Sequence, residues 1–245
     1  MNAVILAAGY ATRLYPLTLD RPKALLPVAG RPMVEHLLLR LEGVEGLDAI
    51  HLVTNSKFTG AFREWAAGWD GKEVQIVDDG TSDEETKLGA IGDLELTIRA
   101  AAIDDDLIVL AGDNLFSESL APFGAFARAK AAPVIGVYDV GDLEAIRRYN
   151  SITLDEDDRL TYFEEKPEHP RTTLTGIALY FYPRKSLGVV REYLAAGNNP
   201  DQPGRLIEWL YPREPVYAWR VPGRWYDIGS AETLAEADRA FSAGG

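Results

Sequence analysis

Apolar and polar positions along this chain follow two different periods, and the points where the period changes divide it into elements. The run VILAA at 4–8 is continuously apolar and is closed by Gly9, the pattern of a strand buried on both faces of a parallel sheet. Val34, Leu37, Leu38 and Leu41 then recur at i, i+3, i+4 and i+7, which predicts a helix with one apolar face. The two patterns keep exchanging: strand over 50–53, helix over 59–69, strand over 73–77, helix over about 88–102. A strand over 107–111, a helix near 120–130 and a strand over 133–138 follow. Such alternation predicts an α/β fold with a doubly wound, mostly parallel, Rossmann-like mixed sheet.

The second half changes character. Strands are expected over 151–154, 160–165 and 173–182, and the acidic run from Asp155 to Asp158 makes a natural turn between the first two. Helical pieces over 184–195 and 204–211 and a strand over 216–220 come next. The last helix is expected to start at Ser230 as N-cap, with Glu232 in its first turn and Leu234, Ala237 and Phe241 on its buried face. No repeat and no low-complexity linker interrupts the 245 residues, so one domain over 1–245 is expected.

Composition narrows the picture by exclusion. There is no cysteine, and the three histidines (His36, His51, His169) are not spaced as zinc ligands. No apolar stretch reaches the ~20 residues of a membrane span, and the short apolar run at the N-terminus has no basic segment before it. A cytoplasmic protein without a membrane partner is the expectation. The net charge of −13 argues against a nucleic-acid surface, which needs a basic stripe. The first forty residues run the other way. Arg13, Arg21, Lys23, Arg31 and Arg40 stand there against Asp20 and Glu35, a local charge of +3. An acidic chain with one basic segment suggests a single anion site assisted by a metal ion.

Four segments carry candidate chemistry. The first is LAAGYATRLYPLT at 6–18 followed by RPKALLP at 21–27. Small residues directly after a strand let backbone N–H groups approach a triphosphate, with Arg13 as a forked donor and Lys23 as a point charge. Taken alone, the same residues also read as a tight turn with two solvated cations, and no G-x-G-x-x-G supports a dinucleotide site. The second is LIVLAGDNLF at 107–116, which puts Asp113 beyond the carboxyl end of a strand, where ligands of open α/β sheets bind and a carboxylate can hold Mg²⁺. The third is GRWYDIGS at 223–230, in which Asp227 is either a second metal ligand or part of a strand end and helix cap. The fourth is YFEEKP at 162–167, by itself an ordinary solvated surface.

Together and in this order, the four segments resemble the signature of the sugar-phosphate nucleotidyltransferases, L-A-A-G-x-G-T-R-L-x-P-L-T with P-K-x-L-L-P-V, then G-D-N-x-F, E-E-K-P and W-x-D-I-G-T. That family includes glucose-1-phosphate thymidylyl- and uridylyltransferases. The resemblance, which runs from Asn2 to about Ala237, implies transfer of a nucleoside monophosphate from a nucleoside triphosphate (dTTP or UTP favoured) to a sugar 1-phosphate (glucose 1-phosphate favoured), with Mg²⁺ as cofactor and pyrophosphate released. It implies a nucleotide-binding half over about 1–140 and a sugar-phosphate-binding, β-rich half over about 141–245.

Residue by residue, the resemblance puts Leu6, Ala8, Gly9, Ala11, Thr12, Arg13, Lys23, Gly80 and Gly89 on the nucleotide, and Asn150, Glu165, Lys166 and Gly176 on the sugar phosphate. Asp113 and Asp227 would hold the metal, and Arg13, Lys23, Asp113 and Lys166 would carry the chemistry. The attacking phosphate oxygen is already ionised, so positioning and charge neutralisation suffice without a general base.

Three departures stand out. Ala11 replaces a glycine of the family pattern, and Asn150 replaces the glycine of its R-Y-G segment. Between 75 and 93 the pyrimidine-reading Q-x-x-P-x-G-L-A is missing. Leu88, Gly89 and Ala90 stand in its place with Gly80 and Thr81 near the base edge, or the five acidic residues from Asp78 to Glu85 form a solvated loop. A choline- or polyol-phosphate cytidylyltransferase, a metal-dependent glycosyltransferase and a non-catalytic nucleotide-sensing relative are the rival readings, and a homo-oligomer is left open.

Overall fold

The fold is described by a computed structural model covering residues 1–243. The chain opens with β1 (Asn2–Leu6), two single 3₁₀ turns (Thr12–Leu14 and Lys23–Leu25), and the small hairpin β2 (Pro27–Val28) and β3 (Arg31–Pro32). Then come α1 (Met33–Leu41), β4 (Ala49–Thr54), α2 (Ser56–Ala67), β5 (Val74–Asp78) and α3 (Ala90–Ala100). The middle holds β6 (Leu107–Ala111), β7 (Asn114–Phe116), α4 (Ala121–Lys130), β8 (Val134–Asp139) and the short α5 (Leu143–Ile146). The last stretch runs β9 (Asn150–Leu154), β10 (Leu160–Glu165), β11 (Leu174–Tyr182), α6 (Gly188–Ala195), α7 (Pro203–Leu210), β12 (Tyr217–Arg220), β13 (Trp225–Asp227) and α8 (Ala231–Ser242).

Seven strands form one sheet in the order β12-β8-β11-β6-β1-β4-β5. Six point the same way and β11 alone runs against both its neighbours. This is the mixed, mostly parallel sheet that the alternation predicts. Because side chains of a strand point to alternate faces, β1 sends Ala3 and Ile5 into one core and Val4 into the other. The first core is covered by α1, α2 and α4 through Leu37, Phe62 and Phe123; the second by α3, α6 and α7 through Leu94, Tyr193 and Ile207. No helix among the described residues is long and apolar enough to cross a membrane.

Most expected elements lie within a few residues of the observed ones, and the differences have local causes. The helix expected from 88 begins at Ala90, because Gly89 takes φ +78° and the Ile91 amide is bonded to Pro200 O at 2.8 Å. A side chain at position 89 would meet Pro200 O at 2.7 Å, so only glycine allows this approach. The expected helix over 184–195 divides into a 3₁₀ turn at Arg184–Ser186 and α6. Ser230 caps α8 as expected, its hydroxyl accepting from the Thr233 amide at 3.3 Å while Thr233 reaches back to the Ser230 amide at 3.1 Å.

Two pairings were not legible from periodicity. β7 and β13 form an antiparallel ladder with Asp227 opposite Asn114, and α8 packs over it through Leu115, Ile228 and Ala237. On the other flank, Asn150 makes three of the hydrogen bonds that fasten the β9–β10 hairpin to β11. Asn150, 7 % exposed, accepts from the Gly176 amide at 2.6 Å, donates to Gly176 O at 2.9 Å and accepts from the Thr175 hydroxyl at 3.1 Å. Replacing Asn150 by alanine would leave buried backbone groups unpaired, a cost of about 1–3 kcal/mol. Asn150→Ala is expected to lower the urea midpoint by that equivalent with an unchanged denaturant slope; an unshifted midpoint would show that the clamp contributes nothing.

Candidate active site

The carboxyl ends of β1 and β6, and the start of β11, open on a cavity of about 500 Å³, within the usual size of a small-molecule site. Its floor is the turn after β1. Leu6 O accepts from the Gly112 amide (2.8 Å), Ala8 O from Asn55 Nδ2 (2.8 Å) and Ala11 O from the Thr18 hydroxyl (2.8 Å). These bonds hold the carbonyls, while among the described residues the amides of Ala8 to Thr12 have no partner. A row of free backbone donors is suited to phosphate oxygens. Ala11 sits at φ +50°, in the left-handed region that glycine enters freely and alanine enters at a cost of about 1 kcal/mol. The glycine of the family pattern is thus accounted for by backbone conformation, and the Thr18 bond keeps the turn in place without it.

The carboxylate pair is assembled by the β7–β13 ladder. β6 delivers Gly112 and Asp113 at its end, and the Ile228 amide donates to Asp113 O at 3.1 Å, so Asp227 is fixed beside Asp113 across 114 residues of sequence. Trp225 Nε1 adds a 2.6 Å bond to Asn114 Oδ1. Lys23 Nζ lies 2.8 Å from Asp113 Oδ2. Burial, and after it the Asp113 carboxylate, push the pKa of Asp227 up to about 6, while Lys23 and Arg13 pull it the other way.

Among the described residues no cluster of three or more acidic or histidine side chains is placed to hold a metal. The donor set is therefore two carboxylates. It fits a hard dication that takes one or two protein oxygens and fills its remaining positions with water and phosphate. The raised proton affinity of Asp227 is what a cation at this position would relieve.

Of the residues expected on the nucleotide, Leu6, Ala8, Gly9, Ala11, Thr12, Arg13 and Gly89 line the cavity, as do Asp113, Asp227 and, on the acceptor side, Gly176. Lys23 reaches it through its ion pair with Asp113. The others lie outside the wall. Gly80 belongs to a turn in which its amide donates to Asp78 Oδ1 at 2.9 Å. Asn150 spends its side chain on Gly176 and Thr175, so it shapes the acceptor strand from behind.

Glu165 is half-buried against the first turn of α7, where a side chain at Gly204 would meet its Oε2 at 2.5 Å. Burial raises its pKa to about 7, opposed by Lys166 and Arg205 and helped by Glu208. Lys166 is exposed, with φ +49° and its amide donating to Tyr149 O at 2.7 Å. Its backbone is thus tied to a residue of the cavity wall, while its side chain is not part of that wall.

The wall also includes residues that sequence reasoning passed over. Tyr149 and Trp225 stand edge-to-face at 5.7 Å near Gly176 and Asp227 in the wall. At the other end Tyr10 meets Thr81 through its hydroxyl at 3.3 Å, and Lys87 bridges Glu84 (2.8 Å) and Asp201 (3.2 Å). Asp93 stands on the buried face of α3 between Ile91 and Leu94. A carboxylate interrupting an apolar helical stripe was the one signal in the sequence that pointed to it.

With this geometry in view, comparison with known proteins is informative. A model of the nucleotidyl transferase family matches residues 2–243. Mannose-1-phosphate guanylyltransferase of Mycobacterium tuberculosis is 33 % identical over 238 residues, covering 95 % of this chain and 62 % of that protein. The bifunctional protein GlmU of Methanocaldococcus jannaschii is 26 % identical over 244 residues, covering 98 % of this chain and 54 % of that protein. This chain thus spans a little over half the length of these curated relatives. The crystal structure of a UDP-glucose pyrophosphorylase complexed with UDP-glucose superposes with a TM-score of 0.84 at 19 % identity, over 100 % of this chain and 99 % of that one, a likeness of fold. The match over nearly the whole length decides the matter: the chain belongs to the nucleotidyl transferase family.

Proposed function

We propose that the protein transfers a nucleoside monophosphate from a nucleoside triphosphate to a sugar 1-phosphate and releases pyrophosphate. The observation that carries this reading is the pairing of Asp113 with Asp227 beside Lys23, facing the row of free amides after β1. Phosphoryl-type transfer asks little covalent chemistry of a protein; it asks for positioning and for charge neutralisation where charge develops. The turn amides and Arg13 take the β- and γ-phosphates, which leave together as pyrophosphate. Lys23 gives up Asp113 for the α-phosphate as the substrate arrives. Asp113 and Asp227 would hold Mg²⁺, which when bound supplies positive charge to the phosphate oxygens. Lys166, at the rim beside Tyr149, takes the phosphate of the acceptor, and Gly176 leaves room for the sugar next to the Tyr149–Trp225 wall.

Sequence resemblance favours dTTP or UTP as donor and glucose 1-phosphate as acceptor. The relative that acts as a mannose-1-phosphate guanylyltransferase supports the same reaction class with a different pair. Two halves, about 1–140 for the nucleotide and about 141–245 for the acceptor, fit this division of the cavity, and the cytoplasm supplies both substrates.

The deciding measurement is pyrophosphate release with Mg²⁺ from dTTP, UTP, CTP, GTP and ATP, each paired with sugar 1-phosphates, phosphocholine and polyol phosphates. Release that requires both substrates is expected. Nucleotide binding without release across the panel would favour the nucleotide-sensing reading, and release with phosphocholine or a polyol phosphate would favour the cytidylyltransferase-like one. Asp113→Ala is expected to lower turnover by on the order of 10³-fold with an unchanged circular dichroism spectrum; an active variant would remove Asp113 from the chemistry. EDTA is expected to abolish release and added Mg²⁺ to restore it, whereas turnover indifferent to EDTA would leave the carboxylate pair without a metal role.

A further inference from the structure

One end of the cavity carries a buried acid that the reaction as described does not use. Asp93 is 5 % exposed, one turn into α3, and forms part of the cavity wall. Its Oδ1 is buried with no hydrogen-bond partner among the described residues. Asp79, 7 % exposed, faces it from the loop after β5 within hydrogen-bonding reach. Both oxygens of Asp79 are already acceptors, Oδ1 from the Thr81 amide at 2.7 Å and Oδ2 from the Thr81 hydroxyl at 3.0 Å.

Two buried carboxylates in contact cannot both stay ionised, and they share one proton. The Thr81 donors stabilise negative charge on Asp79, so the shared proton resides on Asp93. The remaining surroundings agree. Asp201 adds further negative charge, and the positive charge of Lys87 is taken up by Glu84 and Asp201. Glu95, two residues further along α3, is engaged by Arg99 and Arg191. His51, on β4 beneath α3, is held neutral by burial, which lowers its pKa. Burial first, then Asp79, raise the pKa of Asp93 to about 7.

We propose that Asp93 is the residue that reads the nucleobase: it donates its proton to Asp79 and so turns its carbonyl oxygen to the cavity, as the acceptor for an N–H on the edge of the base. Asp79 is then a positioning residue that acts through Asp93. This rests on the nucleoside triphosphate reading above, which places the phosphates on the turn after β1; the nucleoside then extends toward the end of the cavity lined by Tyr10 and Asp93. A neutral acid is suited to the task. It offers one donor and one acceptor in the plane of the carboxyl group, as a carboxamide does, and it brings no full charge against the base. For uracil and thymine the N–H is the single imino group; guanine presents imino and amino hydrogens together.

The test is the dissociation constant of UTP, dTTP, CTP, GTP and ATP with Mg²⁺, measured by calorimetry on the wild-type protein, Asp93→Ala and Asp93→Asn. In Asp93→Ala the best-bound nucleotide is expected to weaken at least about tenfold and the worst-bound far less, so that the spread among bases narrows. Asp93→Asn, whose amide donates to Asp79 and whose oxygen faces the cavity, is expected to restore the spread; it is also the variant that keeps the shape of the buried site. A spread unchanged in Asp93→Ala, or narrowed equally in both variants, overturns the assignment. Because the readout is binding, it separates from the fate of the proposed reaction: a protein that binds nucleotides selectively but never releases pyrophosphate fails the reaction and still tests Asp93. A wild-type protein that binds none of the five overturns both.

Discussion

The contact on which the rest of the site depends is the three-residue antiparallel ladder between β7 and β13. Neither strand belongs to the main sheet. Together they fasten the end of the chain to the carboxyl end of β6, and they do so with backbone hydrogen bonds, whose geometry tolerates little slip. Trp225 locks the register by reaching Asn114 with its indole N–H, and α8 covers the outer side through Ala237. The metal-competent pair is thus a by-product of strand register: shift the ladder by one residue and Asp227 would point to the opposite face.

The electrostatics of the cavity follow from burial. The protein carries −13 overall, yet three carboxyl groups at or behind the cavity wall, Asp93, Glu165 and Asp227, have pKa values raised to between about 6 and 7, each chiefly by loss of solvent. The cavity therefore does not hold its full complement of negative charge when empty, which suits the polyanionic substrates proposed for it. Protons, Lys23 and Arg13 moderate it, and under the proposed reaction a dication would complete the neutralisation. The basic residues in the first forty positions set that segment apart from the acidic balance of the chain as a whole.

Much of this was legible in the sequence because it rests on local pattern. The strands at Leu107–Ala111 and Leu160–Glu165 coincide with their expected bounds, since each is a clean run between turn signals. Leu6, Ala8, Gly9, Ala11, Thr12 and Arg13 of the first turn and the pair Asp113 and Asp227 were placed by motif, and they line one cavity. What escaped has physical reasons. β7 and β13 are too short for any period, and they pair at a separation that no local window sees. Asn150 reads as a bulkier replacement for the glycine of an R-Y-G segment near the sugar, but its burial is created by β11, where Gly176 leaves room for its close approach. Lys166 reads as a site residue, and no local window shows that its backbone is left-handed and its exposed side chain stands outside the cavity wall.

The reversed strand β11 has a consequence for how the chain is made. β6 is finished at residue 111, but the strand that closes its free side does not begin until residue 174. While the intervening segment is leaving the ribosome, β6 presents a row of open backbone hydrogen-bonding groups on what is for that interval the rim of the nascent sheet. β8, formed in between, cannot shield it, because in the finished sheet β8 pairs with β11 and not with β6. The strand that completes the cavity wall with Gly176 is the same strand that ends this exposure, so the nascent chain loses its sticky margin and gains that part of the wall in one step.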